Sequence, residues 1–470
     1  MQRSPTPKTE VNKVMIEKRD RVVKAHWAQN EAITAWGGLA LVERLAHRTR
    51  LWSDARREMP RRTRTGAGYD STTVLAAMIH GLLSGSRGTY AAEPLREDEA
   101  LKRLVGLEAG VPEEVTVWRT LGQWAEAGGA AALGGLQRRQ CRRLIDKTTL
   151  GAMRVEGFTP IFIDATWLEV GRETKFEGAK CFDGSAKLML STMWVGPYLV
   201  GQRFAREGEG ELTASLDLVG PAWRDVVRPV KLDASVLFLA DSLYGNDTAL
   251  KRFESCKGAR YVVGARGLAE IERVAAEQPE VLWQDTGADE RRGWAESALC
   301  VHTFQAAPWD RARTAVTRRW RREGEFLFHY ASVLTNLEPT DARVVKMTRE
   351  HKIGFAQAVY RLYDHKQAME NQFKEALSDL GLHHPPCAEL ARNEVFYAVA
   401  ALALNLAVGV RRIALGGAER SMRLWRLRRE LLAIPARVVR HARCMQACLY
   451  STSNRLRSIF SAALARLAAC

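Results

Sequence analysis

The apolar positions of this chain follow two different periods, and the change from one to the other divides the sequence. Over the first 155 residues they recur at helical spacing, as in Leu39–Leu51 and in Thr73–Leu83, where Asp70 offers an N-cap. After Pro160 the helical period gives way to short apolar runs bounded by turn residues. The pattern therefore predicts a helical N-terminal region, residues 1–155, followed by a sheet.

Five apolar runs between residues 160 and 265 have the character of strands. They are Ile161–Ile163, Lys187–Val195, Tyr198–Phe204, Val236–Ala240 and Tyr261–Ala265. The segment Glu211–Val227 is helical in pattern. The run at 236–240 is apolar throughout, as a strand covered on both faces should be. Asp247 can cap a helix that runs to Glu254, between this run and the next, so the segment predicts a βαβ unit. Asp241 then stands at the carboxyl edge of the sheet, where open α/β folds bind their ligands.

Beyond this unit the pattern changes twice more. Residues 266–349 contain short alternating runs and dense arginine, which predict a β-rich insertion with a basic rim. The stretch Tyr363–Lys374 predicts a helix with Tyr363, Lys366, Glu370 and Lys374 along one narrow stripe. The apolar run Val395–Val410 is shorter than the roughly 20 residues that cross a bilayer, so we interpret it as a buried core helix.

The net charge of the chain indicates the kind of partner that it binds. The chain carries a net charge of +16 with a pI of about 9.7, and residues 411–470 hold thirteen arginines, no lysine and only two acids. A polyanion is the simplest partner for such an excess, and the interleaved tryptophans favour nucleic acid over a membrane surface. Eight scattered cysteines suit a reducing compartment.

Three carboxylates stand out by position. Asp164 follows the first predicted strand, Asp241 follows a central strand, and Glu370 lies on the later helix. Each acid alone is more often a cap, a turn residue or a surface charge. Together they form an all-oxygen donor set of the kind that Mg²⁺ or Mn²⁺ prefers. Two such ions about 4 Å apart can activate an attacking oxygen and stabilise the leaving oxygen of a phosphodiester, with Lys366 and Lys374 holding flanking phosphates.

Two further segments are candidates for DNA binding. Residues 98–125 are compatible with a helix-turn-helix, in which Thr116, Trp118 and Arg119 would begin the recognition helix. A plain helical bundle explains the same pattern equally well. The basic helical run at 422–429 adds Arg426, Arg428 and Arg429 as phosphate-binding candidates.

These residues resemble a family. The segments Ile163-Asp164-Ala-Thr, Ala240-Asp241-Ser-Leu-Tyr-Gly245 and Tyr363-x-x-Lys366-x-x-x-Glu370-Asn-Gln-Phe-Lys374 are similar to those of DDE transposases of bacterial insertion sequences. The likeness is to groups with a β-strand insertion between the second Asp and the Glu, and it extends to Leu95–Lys102 and to the tail Leu431–Arg443.

The sequence departs from the family pattern at two positions. Lys366 stands where the family usually has Arg, which keeps the charge but loses bidentate phosphate binding. Leu377 stands where a basic residue is usual seven positions after the Glu, and Lys374 lies about one turn earlier. Neither departure removes an acid.

The resemblance implies an α/β fold with a ribonuclease-H-like mixed sheet core. It places the core in residues 156–265 and 350–412, the β-rich insertion in 266–349, a DNA-binding helical domain in 1–155 and a basic helical region in 413–470. It implies a metal-dependent, cut-and-paste DNA transposase with two Mg²⁺ or Mn²⁺ ions at Asp164, Asp241 and Glu370.

The resemblance also implies partners and a setting. The protein would act on double-stranded transposon ends and target DNA as a homodimer or higher multimer, in the bacterial cytoplasm, associated with the nucleoid when bound to DNA. Relatives often flip a base onto an aromatic residue of the insertion, which can offset the few kcal/mol that extrusion costs. For any single tryptophan of the insertion, packing in the core or across strands is the favoured explanation. The candidates here are Trp283, Trp294, Trp309 and Trp320.

Two alternatives remain open at this point. One is a catalytically retired transposase that only binds DNA, and the other is a nuclease of the same fold that cuts without strand transfer. The three intact acids favour the active enzyme.

Overall fold

A computed structural model of the chain describes residues 32–61, 68–148, 150–171, 176–182, 184–265, 269–441 and 444–469, together with two short strands at 13–14 and 23–24. The end of the predicted tail motif at Arg443 lies outside these residues. Everything below concerns the described residues.

The described residues form helices in the N-terminal part, a mixture of strands and helices in the middle and mainly helices after residue 341. The strands are β1 (Lys13–Val14), β2 (Val23–Lys24), β3 (Ile33–Thr34), β4 (Thr159–Gly171), β5 (Lys180–Phe182), β6 (Ser185–Val195), β7 (Tyr198–Phe204), β8 (Val236–Ala240), β9 (Arg260–Gly264), β10 (Trp283–Asp285), β11 (Glu296–Phe304), β12 (Arg313–Arg321), β13 (His329–Thr335), β14 (Ala436–His441) and β15 (Cys444–Leu449). The helices are α1 (Leu39–Arg48), α2 (Leu51–Glu58), α3 (Ser71–Ser84), α4 (Glu99–Leu104), α5 (Glu114–Glu126), α6 (Gly129–Lys147), α7 (Glu211–Leu216), α8 (Val219–Ala222), α9 (Asp247–Glu254), α10 (Ala269–Ala276), α11 (Ala342–His351), α12 (Phe355–Asp364), α13 (Lys366–Asp379), α14 (Leu390–Gly409), α15 (Leu424–Leu427) and α16 (Asn454–Ala469). Short 3-10 turns at 88–95 and 242–244 and π-helical turns at 223–227, 410–414 and 428–432 extend or connect them.

A mixed ten-stranded sheet is formed by strands between residues 159 and 335. Its order is β10-β11-β12-β13-β9-β8-β4-β6-β5, and β7 also pairs with β6. The central strands β4, β8 and β9 are parallel, whereas β6 and β7 are antiparallel to their neighbours. This arrangement is consistent with a ribonuclease-H-like core.

The parallel centre of the sheet confirms the predicted βαβ unit. All five residues of β8 are buried, as their unbroken apolar run predicts. Helix α9 connects β8 to β9, and its N-cap is Asn246, whose Oδ1 accepts a hydrogen bond from Ala249 N at 3.0 Å. The prediction that Asp247 caps this helix is therefore wrong by one residue.

Strand β4 is longer than predicted. It continues past Asp164 to Gly171, because residues 164–169 pair in register with β6. Beyond Asp164 the strand alternates, with Leu168 buried and Trp167 exposed, which is the pattern of a half-covered strand. Asp164 thus lies in the middle of a strand rather than at its end.

The insertion does not form a separate sheet. Strand β13 pairs antiparallel with β9, so β10–β13 continue the edge of the central sheet. Helix α10 packs on one face of this extension, against β11 and β13, and α12 packs against β11 and β9. The predicted β-rich character of this region is confirmed, and its strands form one continuous sheet with the core.

Helix α14 is the centre of the helical half. It packs against α3, α5 and α6 and against the strand β7. Its buried Asn405 side chain accepts a hydrogen bond from Leu199 N at 2.9 Å and donates one to Leu199 O at 2.8 Å, so the edge strand is satisfied and covered.

The helix that contains α14 extends beyond the predicted apolar run Val395–Val410. Together with its π-helical turn it spans Leu390–Ala414, which makes it the one described helix that is long and apolar enough to cross a membrane. Its most apolar window is 94% buried inside the fold, so the expectation of a buried core helix is confirmed. The expectation that it is too short to span a bilayer is wrong.

Two expectations about the C-terminal half also differ from the structure. The helix predicted over Tyr363–Lys374 is two helices, because α12 ends at Asp364 and α13 begins at Lys366, with His365 in a turn between them. The C-terminal region is not all helical, since β14 and β15 form a three-stranded sheet with β3.

The N-terminal helices agree with their sequence signals. Asp70 accepts a hydrogen bond from Thr73 N at 2.9 Å and caps α3, as predicted. Asp98 caps α4 in the same way through Leu101 N at 2.7 Å. The single helix predicted over Leu39–Leu51 is interrupted at Arg50, whose φ of 55° is left-handed.

Candidate active site

Two of the predicted acids meet at the centre of the sheet. The parallel register between β4 and β8 ends with Phe162 opposite Leu239, and Asp164 and Asp241 each lie two residues further on. The Asp164 Oδ1 accepts a hydrogen bond from Ala165 N at 3.0 Å, and the Asp241 Oδ1 accepts one from Leu243 N at 2.9 Å. Burial and the Asp241 charge raise the pKa of Asp164 to about 6, although the Lys366 ammonium opposes the shift.

A fourth acid belongs to this cluster and was not predicted. Glu211 is the first residue of α7, which packs against β4 and β6. Burial and the Asp241 charge raise its pKa, and its own charge contributes to raising that of Asp164. The sequence predicted a helix that begins at Glu211. Only the position of Glu211, at the start of the first helix after β7, could have marked it as part of the site.

Tyr363 closes over the same edge of the sheet. A Cβ added to Gly264 at the end of β9 would lie 2.6 Å from the Tyr363 hydroxyl and 2.9 Å from Ser242 N. Only glycine leaves room for this approach. Burial, followed by the charges of Asp241 and other nearby acids, raises the pKa of Tyr363 to about 12, so the phenol stays protonated.

Glu370, the third predicted acid, lies on the first turns of α13. Its carboxylate accepts a hydrogen bond from Gln367 Nε2 at 2.8 Å and lies 3.6 Å from the Lys366 ammonium. The Lys366 side chain is only 15% exposed. The Lys366 charge also lowers the pKa of Asp164, so this one ammonium group interacts with both Asp164 and Glu370.

The donor set can be tested against the divalent cations that it predicts. Carboxylate oxygens are the ligands that Mg²⁺ and Mn²⁺ take. Burial, with a smaller contribution from the Asp241 charge, raises the pKa of Asp164, so its ionised form is costly until a cation neutralises it. Within the described ranges no three acid, histidine or cysteine side chains converge closely enough to hold an ion. The acids are of the ligand type that these cations prefer. The Glu370 carboxylate, however, is paired with Lys366 and Gln367 and does not form a three-residue cluster with Asp164 and Asp241.

The C-terminal region fixes the helix that carries Glu370. Glu375 on α13 forms a buried ion pair with Arg411 at 2.7 Å and accepts a hydrogen bond from Leu424 N at 2.7 Å. Asp379 accepts one from Trp425 N at 3.0 Å. These contacts tie α13 to α14 and α15, so residues far along the sequence position Glu370.

A basic pocket of about 400 Å³ lies beside α13 and was also not predicted. Its cationic lining residues are Lys374, Arg411, Arg412, Arg420 and Arg423. The Arg412 side chain makes no hydrogen bond or ion pair within the described part of the chain, and burial lowers its pKa. The composition of the tail gave its charge, but not this concave arrangement.

The candidates of the predicted recognition helix lie on α5. Trp118 and Arg119 are exposed and Thr116 is half-buried. The Arg392 guanidinium carbon lies 3.6 Å from the centroid of the Trp118 ring, so one face of that ring is covered. The preceding helix, α4, has only six residues.

The three arginines of the basic run have different surroundings. Arg429 is exposed, and Arg426 forms an ion pair with Glu430 at 2.6 Å. Arg428 donates hydrogen bonds to the carbonyl oxygens of Leu82, Leu83 and Asp379 at 3.1, 2.9 and 2.9 Å. The guanidinium of Arg428 is thus engaged at the C-terminus of α3, in a structural contact rather than at a free DNA-binding surface.

The four tryptophans of the insertion are all packed. Trp283 and Trp309 are buried, and an arginine covers each ring. Trp294 stacks on Trp320 with ring centroids 5.1 Å apart, and Trp320 stacks on His329 at 5.6 Å. Trp320 therefore stacks with two rings, and Trp294, Trp320 and His329 form an aromatic ladder.

Comparison with known proteins identifies one match. A family model described as "Transposase DDE domain group 1" matches residues 223–470, more than half of the chain. The matched segment includes Asp241, Glu370 and the insertion, and it begins after Asp164. No curated protein sequence matches the chain.

Proposed function

Since this chain belongs to the family of group 1 transposase DDE domains, and is thus of the polynucleotidyl transferase type, we propose that it cuts and joins the ends of its own transposon. It would bind the terminal inverted repeats, cleave them in a metal-dependent reaction and transfer the freed 3′ end to target DNA, by a cut-and-paste route. The substrate is double-stranded DNA, and two chains or more would hold the two ends together.

The observation that carries this proposal is the adjacency of Asp164 and Asp241. They stand two residues beyond the last register pair of two parallel strands, and the pKa of Asp164 responds to the Asp241 charge. Anions held this close are stabilised when a divalent cation neutralises them. The family supplies the expectation that such a cation is required for the reaction.

Asp164, Asp241 and Glu370 are the residues that would hold two Mg²⁺ or Mn²⁺ ions, with Glu211 at the margin of the site. The bound ions would activate the attacking oxygen and stabilise the leaving oxygen of a phosphodiester. The remaining work belongs to this chain's own groups. The protonated Tyr363 hydroxyl can donate a hydrogen bond to a phosphate oxygen, and Lys366 supplies positive charge beside the acids.

DNA would reach the acids across the basic surfaces on either side of them. Lys374 and the arginines of the pocket beside α13 offer phosphate contacts close to Glu370. Exposed Arg119 and Arg429 lie on other elements and would contact DNA further away. Because most of these contacts are electrostatic, affinity should fall steeply with salt.

The packing of the insertion changes which tryptophan could receive a flipped base. Trp283 and Trp309 are buried, and Trp294 is stacked on Trp320. Trp320 also lines a cavity of about 820 Å³ that contains Asp241 and Tyr363, and Tyr330 and His329 share this lining. If a base is extruded toward the insertion, the edge of this ladder beside Asp241 is where the chain offers it an aromatic surface.

One assay separates this proposal from its alternatives. Labelled DNA carrying the terminal repeat is incubated with the full chain in Mg²⁺, and binding, nicking and joining are followed separately. Cleavage followed by joining is the expected result. Binding without nicking would identify a DNA-binding protein that has lost catalysis, and nicking without joining would identify a nuclease.

A further inference from the structure

A guanidinium that has no hydrogen-bond or ion-pair partner among the described residues lies in a second cleft of the insertion. Arg318 in β12 lines a cleft of about 810 Å³ between the insertion and α12. Its Cζ is 3.9 Å from the centroid of the Tyr360 ring and 5.4 Å from that of Trp294. Its side chain forms no hydrogen bond or ion pair with any residue that the structure describes.

The aromatic rings hold this guanidinium in one place. The Tyr360 hydroxyl accepts a hydrogen bond from Arg318 N at 3.1 Å and donates one to Ala331 O, so the ring is locked to β12 and β13. Trp294 is held in turn by its stacking on Trp320. Rings against the flat faces of a guanidinium leave its edge N–H groups as the free binding surface.

The nearby acids that the structure describes do not form ion pairs with Arg318. Asp289 and Asp364 also line the cleft, but both face Arg292, at 3.5 and 3.7 Å. Burial lowers the pKa of Arg318, and the charges of Asp364 and Asp289 oppose this shift only in part, consistent with a cation that is partly removed from water and has no ion-pair partner among the described residues. A partly buried charge of this kind is costly until an anion pairs with it.

We propose that the free edge of Arg318 binds a backbone phosphate of an unpaired DNA strand. The proposal rests on the proposed function, because it needs DNA at the acids. Tyr360 lines both this cleft and the cavity that contains Asp241, so the two are neighbours. A cleft of this volume accommodates a small ligand or a single nucleotide, but not a duplex.

The test compares two DNA probes and three variants of the full chain. Binding of a short single-stranded oligonucleotide and of a blunt duplex is measured without metal, at several salt concentrations. Arg318→Gln should weaken single-strand binding by about tenfold, as the loss of a charge-assisted hydrogen bond does. It should also lower the salt slope by about 0.7 and leave duplex binding within about twofold.

Two variants keep the result interpretable. Arg322→Gln makes the same charge change on an exposed arginine of the same hairpin, and it should affect both probes equally and weakly. Arg318→Lys retains the charge and the fold but cannot bind a phosphate bidentately, so it should lose affinity partially. Equal effects of Arg318→Gln and Arg322→Gln, or unchanged single-strand binding by both Arg318 variants, would overturn the proposal.

Two further measurements identify the ligand of the cleft and distinguish this inference from the proposed function. Inorganic phosphate should compete with the oligonucleotide only weakly, and tryptophan fluorescence that responds to phosphate but not to the oligonucleotide would reassign the cleft to small anions. Because binding is measured without metal, a chain that never cuts DNA can still show Arg318-dependent binding. Cleavage with no Arg318 effect would refute this inference and leave the proposed function intact.

Discussion

Asp164 in β4 and Asp241, the first residue after β8, occupy equivalent positions along two parallel neighbouring strands, each two residues beyond the last register pair. This relationship follows from the sheet, because the buried run of β8 and the buried start of β4 fix their register against each other. The two carboxylates are therefore held together by the core of the protein and not by their own interactions. Repulsion between them is built into the fold.

The cost of holding Asp164 ionised, which arises first from its burial and then from the Asp241 charge, should be measurable as stability. Because the folded-state pKa of Asp164 is raised from 3.8 to about 6, the folded chain binds more protons than the unfolded chain between these values. The stabilising contribution is full below pH 4 and is lost as pH rises through about 6. Asp164→Asn should remove this loss and raise the melting temperature at pH 7.5 in EDTA, as thermal unfolding followed by circular dichroism would record. Exposed Asp146 provides the control, and a gain of the same size from Asp146→Asn would contradict the prediction.

The Lys366 ammonium should act as an internal counter-charge. It lies 3.6 Å from the Glu370 carboxylate and lowers the pKa of Asp164 against the effect of burial. Lys366→Gln should therefore move the pH dependence assigned to Asp164 to higher pH and reduce stability at neutral pH. Lys374→Gln, on an exposed lysine two turns along the same helix, should leave this profile unchanged. Identical profiles for the two variants would show that Lys366 does not face the acids.

The contact between Gly264 and Tyr363 predicts a steric cost. A Cβ on Gly264 would meet the Tyr363 hydroxyl at 2.6 Å and backbone at 2.9 Å, so Gly264→Ala should destabilise the chain by about 1–3 kcal/mol. Tyr363→Phe should recover part of that loss in the double variant, measured by chemical unfolding. Gly135 in α6 has nothing within 4 Å of an added Cβ, so Gly135→Ala should stabilise by about 0.5–1 kcal/mol. Additive effects at 264 and 363 would argue against the contact.

Neighbouring arginines of the tail should have opposite roles. Arg428 donates three hydrogen bonds to backbone carbonyls, two of them at the end of α3, so Arg428→Ala should cost about 2–3 kcal/mol of unfolding free energy. Arg429 is exposed, so Arg429→Ala should change stability by no more than about 0.5 kcal/mol while lowering DNA affinity. Both quantities can be measured on the same preparations. Loss of stability in both variants, or in neither, would contradict the assignment.

Local signals in the sequence were enough for much of the fold. The apolar run of β8 and the Asp70 cap each carry their own structural cause, and each occurs where it was predicted. The break at His365 had no such signal, since no proline or glycine marks it. The strand β14 was obscured because the exposed Arg437 and Arg440 interrupt its short apolar run.

The site was less predictable than the fold because tertiary packing brings its members together. Glu211 resembles any acid in the first turn of a helix, and only the packing of α7 against β4 brings it to Asp164. The tryptophans of the insertion gave no sign of which rings pack on each other. The environment of Arg318 depends on Tyr360 in a helix forty residues later, which no local pattern records.

The most direct test of the shared cation site is the stoichiometry of Mn²⁺ binding to the full chain with its terminal-repeat DNA, measured by electron paramagnetic resonance. The wild-type chain should bind two ions per site. Asp164→Asn, Asp241→Asn and Glu370→Gln should each lose at least one ion and abolish cleavage, with DNA affinity largely retained. Two bound ions and normal cleavage in any one of these variants would remove that residue from the site, and the same result in all three would contradict the account.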